Sequence, residues 1–256
     1  MTLAFDPPPC PDSPLRRRDP RWKLAALVLA ATAVSVLGTL PAAALAFLAA
    51  VVLILIARVP LGWYAGRMTA LAVVLLLFVA LLPFLLPGEG PGWDLGPVRL
   101  SLYGLRVAGI LCLKALAIVT LMLVVLVSAP LAATLKAAHA LRVPGLVIQV
   151  VVLAYRYLFL LADEFARLLI ALRVRGYRLR PRPQRFRILG HLTGTVLVRG
   201  YERAERVGQA MRCRGFDGRF RALAEFRTRP ADVAFFLAVV LGAGALLCWD
   251  VLERLQ

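Results

Sequence analysis

Two arginine-rich heptapeptides contain the residues best suited to specific chemistry: ALRVRGY at 171–177 and AMRCRGF at 210–216. Four of the seven positions are identical, and two more are close substitutions, Leu for Met and Tyr for Phe. A guanidinium can pair with a carboxylate through two parallel hydrogen bonds, so such a motif is suited to binding in an acidic groove. Two copies predict two equivalent receptors, either a dimeric partner or two homologous ones.

Each heptapeptide also has the composition of a helix C-terminus. Gly176 and Gly215 fall where a helix end favours glycine, because the residue just past the end often adopts a positive φ. Arginines in the last turn face the negative end of the helix dipole. Capping therefore explains a single copy, but it does not require the rest of the heptapeptide to be repeated. The candidate site comprises the equivalent residues of the two copies: Ala171, Arg173, Val174, Arg175 and Gly176, and Ala210, Arg212, Cys213, Arg214 and Gly215.

The chain that must position these motifs is strongly apolar. It has 256 residues, of which 61% are hydrophobic, yet its formal net charge is +17. A soluble domain is nearer half apolar, so this composition indicates a membrane protein. A spanning helix needs about 20 apolar residues. Five stretches predict spans, of which the first two are short: Leu24–Thr39, Ala42–Ala57, Met68–Leu86, Gly104–Ser128 and Asp232–Trp249.

Lysine and arginine are distributed unevenly between these spans. Five precede the first span and twenty lie between Ala129 and Ala231, whereas only one follows Trp249. Because cytoplasmic loops are enriched in these residues, the pattern predicts a plasma (inner) membrane protein with its N-terminus inside and its C-terminus outside. A sixth apolar run, Leu146–Ala162, is ambiguous between a span and a buried surface helix. We do not count it as a span, since that would place the second heptapeptide outside.

These features predict an all-α polytopic membrane protein with about five transmembrane helices and long amphipathic cytoplasmic helices. No signal peptide precedes the first span, which we expect to be retained. The predicted regions are a basic cytoplasmic tail at 1–23, a four-span region at 24–128, a cytoplasmic helical region with the two motifs at 129–231, and a last span with a short outside tail at 232–256.

The cytoplasmic region predicts a short amphipathic helix that ends at Pro144, followed by two long ones. The first long helix runs from Leu146 to about Arg175, with a narrow polar stripe on an apolar surface: Arg156, Asp163 and Arg167. Pro181 and Pro183 break it. The second runs from about Ile188 to Arg214, and its apolar face comprises Leu197, Ala204, Val207, Gly208 and Met211. Each heptapeptide is the last turn of one long helix.

Residues for catalysis or metal binding are sparse. The four cysteines are scattered at Cys10, Cys112, Cys213 and Cys248, and the two histidines, His139 and His191, are isolated. We therefore predict no catalytic residues, no metal site and no cofactor. Cys213 is interpreted as a small apolar side chain rather than a redox switch. Lys114 lies inside the fourth predicted span, where a cation is a functional candidate by default, although it could equally contact a carbonyl or a partner helix.

With both Arg-Gly helix ends in place, the chain resembles the transmembrane T component of energy-coupling factor (ECF) transporters, which are ABC-type importers. The segment ERAERVGQAMRCRGFDGRF, residues 202–220, is most similar to the CbiQ type of cobalt and nickel importers. Many members have Ala before the motif arginine, where this chain has Val174 and Cys213. The resemblance covers most of the chain, and its two motifs are specific as a pair.

The resemblance implies a non-catalytic subunit of an ATP-driven importer. Two ABC ATPases would bind the helix ends, with Arg175 and Arg214 as the groove-docking arginines. A metal-binding membrane S component of the CbiM-like kind would sit on the apolar faces of the long helices. A small accessory membrane subunit and membrane lipids complete the expected partners, with cobalt or nickel as cargo.

Three alternatives remain beside this interpretation. The chain could be a T component for a vitamin. It could instead be a membrane enzyme acting on lipid phosphates, which would need a recognisable cluster of carboxylates, His or Ser. A nucleic-acid role lacks an aromatic stacking platform, and positive-inside bias already accounts for the cations, so we expect only lipid head-group contact by Arg178–Arg187.

Overall fold

The computed structural model describes residues 15, 18–85, 92–95, 98–141, 143–176, 183–216 and 228–255. These residues confirm the predicted all-α class of a polytopic membrane protein, with one small addition. The helices are α1 Pro20–Val36, α2 Leu40–Ile56, α3 Leu61–Leu85, α4 Leu102–Ser128, α5 Leu131–Ala140, α6 Gly145–Val174, α7 Pro183–Cys213 and α8 Pro230–Leu255. Between α3 and α4, strands β1 (Gly92–Leu95) and β2 (Val98–Ser101) form an antiparallel hairpin that was not predicted.

Two helices begin earlier than their hydropathy indicated. α3 begins at Leu61 rather than Met68, because Pro60 starts a helix whose first two turns are polar enough to lie outside the apolar run. Arg67 stacks over the Trp63 ring there, 4.2 Å from its centroid. α7 begins at Pro183 rather than about Ile188. Pro183 was predicted to prevent the first long helix from continuing, and α6 does end before it, at Val174. Pro183 can begin α7 because a proline is tolerated in the first turn, where its missing N–H has no helical acceptor.

Among the residues that the structure describes, four helices are long and apolar enough to cross a membrane: α3, α4, α6 and α8. α2 is a shorter apolar helix of 17 residues, and α1 also has 17. α6 therefore qualifies by length and composition, which agrees with the ambiguity of the Leu146–Ala162 run. The choice of five spans rests on the charge distribution and stays a prediction.

The helices form two compact units, with α1–α5, the hairpin and α8 in the first and α6 and α7 in the second. In the first unit α4 packs on α1, α2 and α3, and α8 packs on α1 and α2. Small side chains let membrane helices approach closely. The fully buried core accordingly contains many alanines beside a few larger residues: Ala26, Leu27, Ala42, Ala43, Ala50, Ile54, Ala117 and Val124.

The turn between α1 and α2 is held by a charged side chain from the far end of the chain. Asp250 on α8 is 1% exposed. Its carboxylate accepts hydrogen bonds from Gly38 N at 3.0 Å, Thr39 N at 2.8 Å and Thr39 Oγ1 at 2.7 Å. Arg254 Nη2 lies 2.6 Å from Asp250 Oδ2. The N–H groups of Gly38 and Thr39, which precede the first turn of α2, are thereby hydrogen-bonded.

Two cations satisfy the other side of this turn. Arg254 Nη2 donates to Val36 O at 3.0 Å, and Lys114 Nζ donates to Ser35 O at 2.9 Å. Both carbonyls belong to the last turn of α1, where cations are favoured by the helix dipole. Of the alternatives left open for Lys114, the structure shows the contact with a carbonyl. We call Lys114, Asp250 and Arg254 the hairpin cluster.

A second group of buried charges lies at the start of α1 and α8. We call Arg18, Asp19, Lys23 and Asp232 the Lys23 cluster. Asp19 is the N-cap of α1, and one of its carboxylate oxygens accepts a hydrogen bond from Arg21 N at 3.0 Å. Lys23 is 3% exposed and Asp232 is 2% exposed, so the first unit has buried charges at both ends of α1.

Candidate functional site

The first heptapeptide ends α6 as predicted. Arg175 is the C-cap, and its N–H donates to Ala171 O at 3.2 Å. Gly176 follows with a φ of +80° and donates to Arg173 O at 3.0 Å. A side chain at this φ is strained, so glycine is the residue that ends the helix without cost.

The second heptapeptide ends α7 with the same geometry. Gly215 has a φ of +76° and donates to Arg212 O at 3.0 Å. Phe216 N donates to Met211 O at 3.1 Å, which completes a Schellman cap. The corresponding bond in the first copy would come from Tyr177, which lies outside the described residues. The prediction that both glycines terminate long helices is confirmed.

Exposure of the two copies is the same position by position. Leu172 and Met211 are half-buried, whereas the other equivalent residues are exposed: Ala171, Arg173, Val174, Arg175 and Gly176, and Ala210, Arg212, Cys213, Arg214 and Gly215. Val174 is 83% exposed. Cys213 was interpreted as a small apolar side chain, yet it is exposed in this chain. The C-terminal turn of each helix, which we call its tip, thus has exposed arginines beside an exposed apolar or thiol side chain.

α6 and α7 pack against each other within the second unit. A Cβ on Gly200 would lie 3.5 Å from Leu161 Cδ2, so the α7 backbone closely approaches α6 there. Next to this contact, the Arg199 guanidinium forms an ion pair with the Glu164 carboxylate. These residues define the point at which the two helices meet.

Measured from the Leu161–Gly200 contact, the two motif arginines lie at equal sequence distance; from the Glu164–Arg199 ion pair the distances are eleven and fifteen residues. Arg175 follows Leu161 by fourteen residues, and Arg214 follows Gly200 by fourteen. At 1.5 Å per residue, each arginine is about 21 Å along its helix from the contact. In the second unit, α6 and α7 therefore extend a similar length beyond their contact, and each ends in an arginine-rich turn.

The apolar faces of this pair are largely uncovered. α6 contains no buried residue, and Leu146 on it is 73% exposed. Its polar stripe is exposed as predicted: Arg156, Asp163 and Arg167. On α7, Val207, Gly208 and Met211 are half-buried.

The predicted apolar face of α7 is only partly covered within this chain. Leu197 is 73% exposed, and Ala204 is also exposed. The covered face instead follows Leu192, Val196 and Gly200. Their spacing of four residues is the signal that could have identified this face, because such residues stack along one side of a helix.

The two histidines were interpreted as surface or packing residues rather than as ligands. His139 and His191 are exposed. Within the described part of the chain, no group of three or more His, Cys, Asp and Glu is placed to hold a metal ion. Sequence reasoning missed Asp250, although a carboxylate at the end of an apolar helix is itself a signal of a buried polar contact.

The whole chain was compared with proteins of known family. A family model for the cobalt transport protein CbiQ matches residues 11–223. The Cobalt transport protein CbiQ of Rhodobacter capsulatus is 32% identical over 208 residues, which are 75% of this chain and 77% of that protein. An uncharacterized protein of Methanocaldococcus jannaschii is 27% identical over 115 residues, covering 45% of this chain and 39% of that protein. The match covers both heptapeptides and all helices but α8, and the chain therefore belongs to the CbiQ family of cobalt transport proteins.

Proposed function

We propose that this chain is the energy-coupling transmembrane subunit of an ECF-type ABC importer for cobalt, or for nickel. Two cytoplasmic ATPases bind the ends of α6 and α7. A separate metal-binding membrane protein, the CbiM-like S component, binds the cargo and is reoriented when the ATPases close. This chain itself performs no catalysis.

The equivalence of the two helix ends is the observation that supports this proposal most directly. The two helix ends share a heptapeptide, a positive-φ glycine cap and the same exposure pattern. They also lie at the same sequence distance from the Leu161–Gly200 contact. A pair of identical ligands on equal arms matches a pair of identical or homologous receptors. Two ATPase subunits are such a pair.

Arg175 and Arg214 are the docking residues in this proposal. Each follows the last helical residue and precedes a glycine, so its side chain projects from a rigid end. A guanidinium forms two parallel hydrogen bonds with a carboxylate, which gives orientation as well as attraction. Val174 and Cys213 add exposed surface next to the arginines.

The proposed orientation places α6 and α7 on the cytoplasmic side, since the ATPases are found there. The exposed apolar residues of α6, such as Leu146 and Val150, then face the S component or lipid. Reporter fusions after Leu141 and at Gln256 should place the first inside and the second outside. An inside C-terminus would contradict the five-span arrangement.

The proposal is tested by removing the motif arginines singly and together. Truncating one partner of a buried charge pair costs about 2–5 kcal/mol. Arg175→Ala and Arg214→Ala should each weaken ATPase association, since one docking site remains. The double variant should lose the ATPases and metal uptake. Pull-down of the ATPases and Co²⁺ uptake by cells are the measurements, with membrane abundance as the control.

Arg173→Ala and Arg212→Ala are matched controls from the same heptapeptides. They lie two residues earlier, on another face of the helix end, and should reduce association less. A double Arg175→Ala/Arg214→Ala variant that keeps its ATPases and transports normally would show that the heptapeptides are only helix caps.

A further inference from the structure

Lys23 connects three elements of the first unit. It lies in the first turn of α1, and its ammonium donates to Leu15 O at 2.8 Å and to Ser128 O at 3.3 Å. Ser128 is the last residue of α4. The charges that act on Lys23 are the carboxylates of Asp232, in the first turn of α8, and Asp19. Lys23 thus joins the start of α1 to the end of α4 by hydrogen bonds and is attracted by the buried carboxylate at the start of α8. Arg18, just before α1, makes the direct contact with the start of α8, since its guanidinium donates to Ala231 O.

The two carboxylates depend on this cation. One oxygen of each accepts a hydrogen bond from a backbone N–H at the start of a helix. The other oxygens, Asp19 Oδ2 and Asp232 Oδ1, are buried without a hydrogen bond among the described residues. Arg18 lies 4.0 Å from Asp232 Oδ1 and is partly exposed. Lys23 is therefore the buried positive charge that balances them.

The position of the cluster along the chain is distinctive. The second unit is inserted between α5 and α8. The chain leaves the first unit after α5, the short helix that follows α4, and returns to it before α8. Ser128 ends α4 and Asp232 lies in the first turn of α8; Lys23 donates to the carbonyl of Ser128 and is attracted by the charge of Asp232.

We propose that Lys23 is a positioning residue for energy coupling, which holds the end of α4 and the start of α8 in register. Motion of α6 and α7 then moves the membrane helices instead of being absorbed at the junctions. The inference rests on the coupling role proposed above. A buried charged network is suited to this task, because its bonds are strong in a low dielectric and specify one arrangement.

The test separates this role from simple stabilisation. Lys23→Met alone leaves two buried anions, so the informative variant is Lys23→Met/Asp232→Asn, which removes one charge of each sign and keeps an acceptor for the start of α8. Replacing a buried ion pair by neutral groups is often harmless to stability. The full complex with its ATPases and S component is reconstituted in liposomes, and Co²⁺ transported per ATP hydrolysed is measured.

We expect this double variant to keep the melting temperature and the bound ATPases of the wild type. Its Co²⁺ transported per ATP should fall about fivefold or more, the lower range of coupling between linked sites. The single variant Lys23→Arg keeps the charge and the donors, so its Co²⁺ transported per ATP should equal that of the wild type. Lys114→Met is the control, since Lys114 also donates to a backbone carbonyl of the first unit, and it should leave the ratio unchanged.

An unchanged ratio in Lys23→Met/Asp232→Asn would overturn the inference. If that variant is not inserted, Lys23→Gln/Asp232→Asn, which also removes one charge of each sign, is measured in the same assay, and a normal ratio there overturns the role of the charged pair. A wild-type chain that holds no ATPases would instead refute the proposed function. The two failures are therefore distinguishable.

Discussion

The two units of the chain differ in whether their charged side chains are buried or exposed. The first unit buries Lys23, Asp232 and Asp250 to 3%, 2% and 1% exposure. In the second unit, no charged side chain that the structure describes is buried, and most are fully exposed. A buried charge must be bonded inside its own chain, whereas an exposed one is available to a partner. The contrast indicates that the first unit uses charge to hold its helices and the second presents charge for recognition.

The largest expected effect on stability comes from replacing an aspartate of the first unit, with an aspartate of the second unit as the comparison. Asp250→Ala leaves the N–H groups of Gly38 and Thr39 and the charge of Arg254 without their partner. We expect a loss of about 3 kcal/mol of unfolding free energy, because each backbone donor left without a partner costs about 1–3 kcal/mol, whereas the Arg254 side chain is 47% exposed and can be hydrated. Unfolding of the detergent-solubilised protein by denaturant measures it. Asp163→Ala, on the exposed stripe of α6, should stay within about 0.5 kcal/mol, and equal effects would contradict the comparison.

A smaller effect is expected at the glycine caps of the second unit. Gly215→Ala forces a Cβ into a left-handed conformation, which costs about 1–2 kcal/mol. Hydrogen exchange of the Phe216 amide, bonded to Met211 O, should accelerate about 5- to 30-fold. Gly176→Ala should act alike on its own helix end.

The matched control for these caps is Gly208→Ala on α7, where φ is helical and the space around a Cβ is open. This change should slow exchange or leave it unaltered, because alanine favours a helix interior. Acceleration at Gly208 as large as at Gly215 would mean that the whole helix, rather than its cap, is sensitive to substitution.

An increase in stability is expected for a small substitution where α6 and α7 meet. A Cβ at Gly200 would make an ordinary contact of 3.5 Å with Leu161. Gly200→Ala should therefore stabilise the helix by about 0.5–1 kcal/mol through reduced backbone entropy. Gly200→Leu should destabilise the helix pair, since the larger side chain must displace Leu161. Chemical denaturation resolves both signs, and a stabilising Leu would disprove the close approach.

The smallest effect is expected for the ion pair at the same place. The Arg199 side chain is 53% exposed and that of Glu164 is 24% exposed. A double-mutant cycle with Arg199→Ala and Glu164→Ala should give about 0.5 kcal/mol of coupling, decreasing as salt is added. A coupling that is several times larger and independent of salt would place this pair with the buried charges of the first unit.

Local patterns in the sequence predicted most of the helices and both tips. Apolar runs located α1, α2, α4 and α8 to within a few residues, and Gly176 and Gly215 fixed the ends of α6 and α7. These features depend on neighbours in sequence, namely helix periodicity and capping. The polar first turns of α3 and the first turn of α7 were missed because hydropathy and proline placement describe helix ends poorly.

Contacts between distant segments could not be predicted in this way. Thr39 and Asp250 are separated by 211 positions, and Lys23 and Ser128 by 105. Nothing local to any of these residues indicates its partner. Lys114 shows the same limit, because the span pattern marked it as unusual but did not identify Ser35 as its acceptor.

The lengths of the helices in the first unit have a consequence for the surrounding lipid. α1 and α2, with 17 residues each, are about 26 Å long, whereas α4, with 27 residues, is about 40 Å long. The hydrocarbon layer of a bilayer is about 30 Å thick. In the predicted five-span arrangement, the bilayer becomes thinner beside the exposed residues of α2, such as Leu48 and Val52, whereas beside α4 the bilayer thickens or the helix tilts. Such elastic deformation costs about a fraction of a kcal/mol per Å. The acyl-chain length of the surrounding lipids is therefore expected to influence the stability of this arrangement.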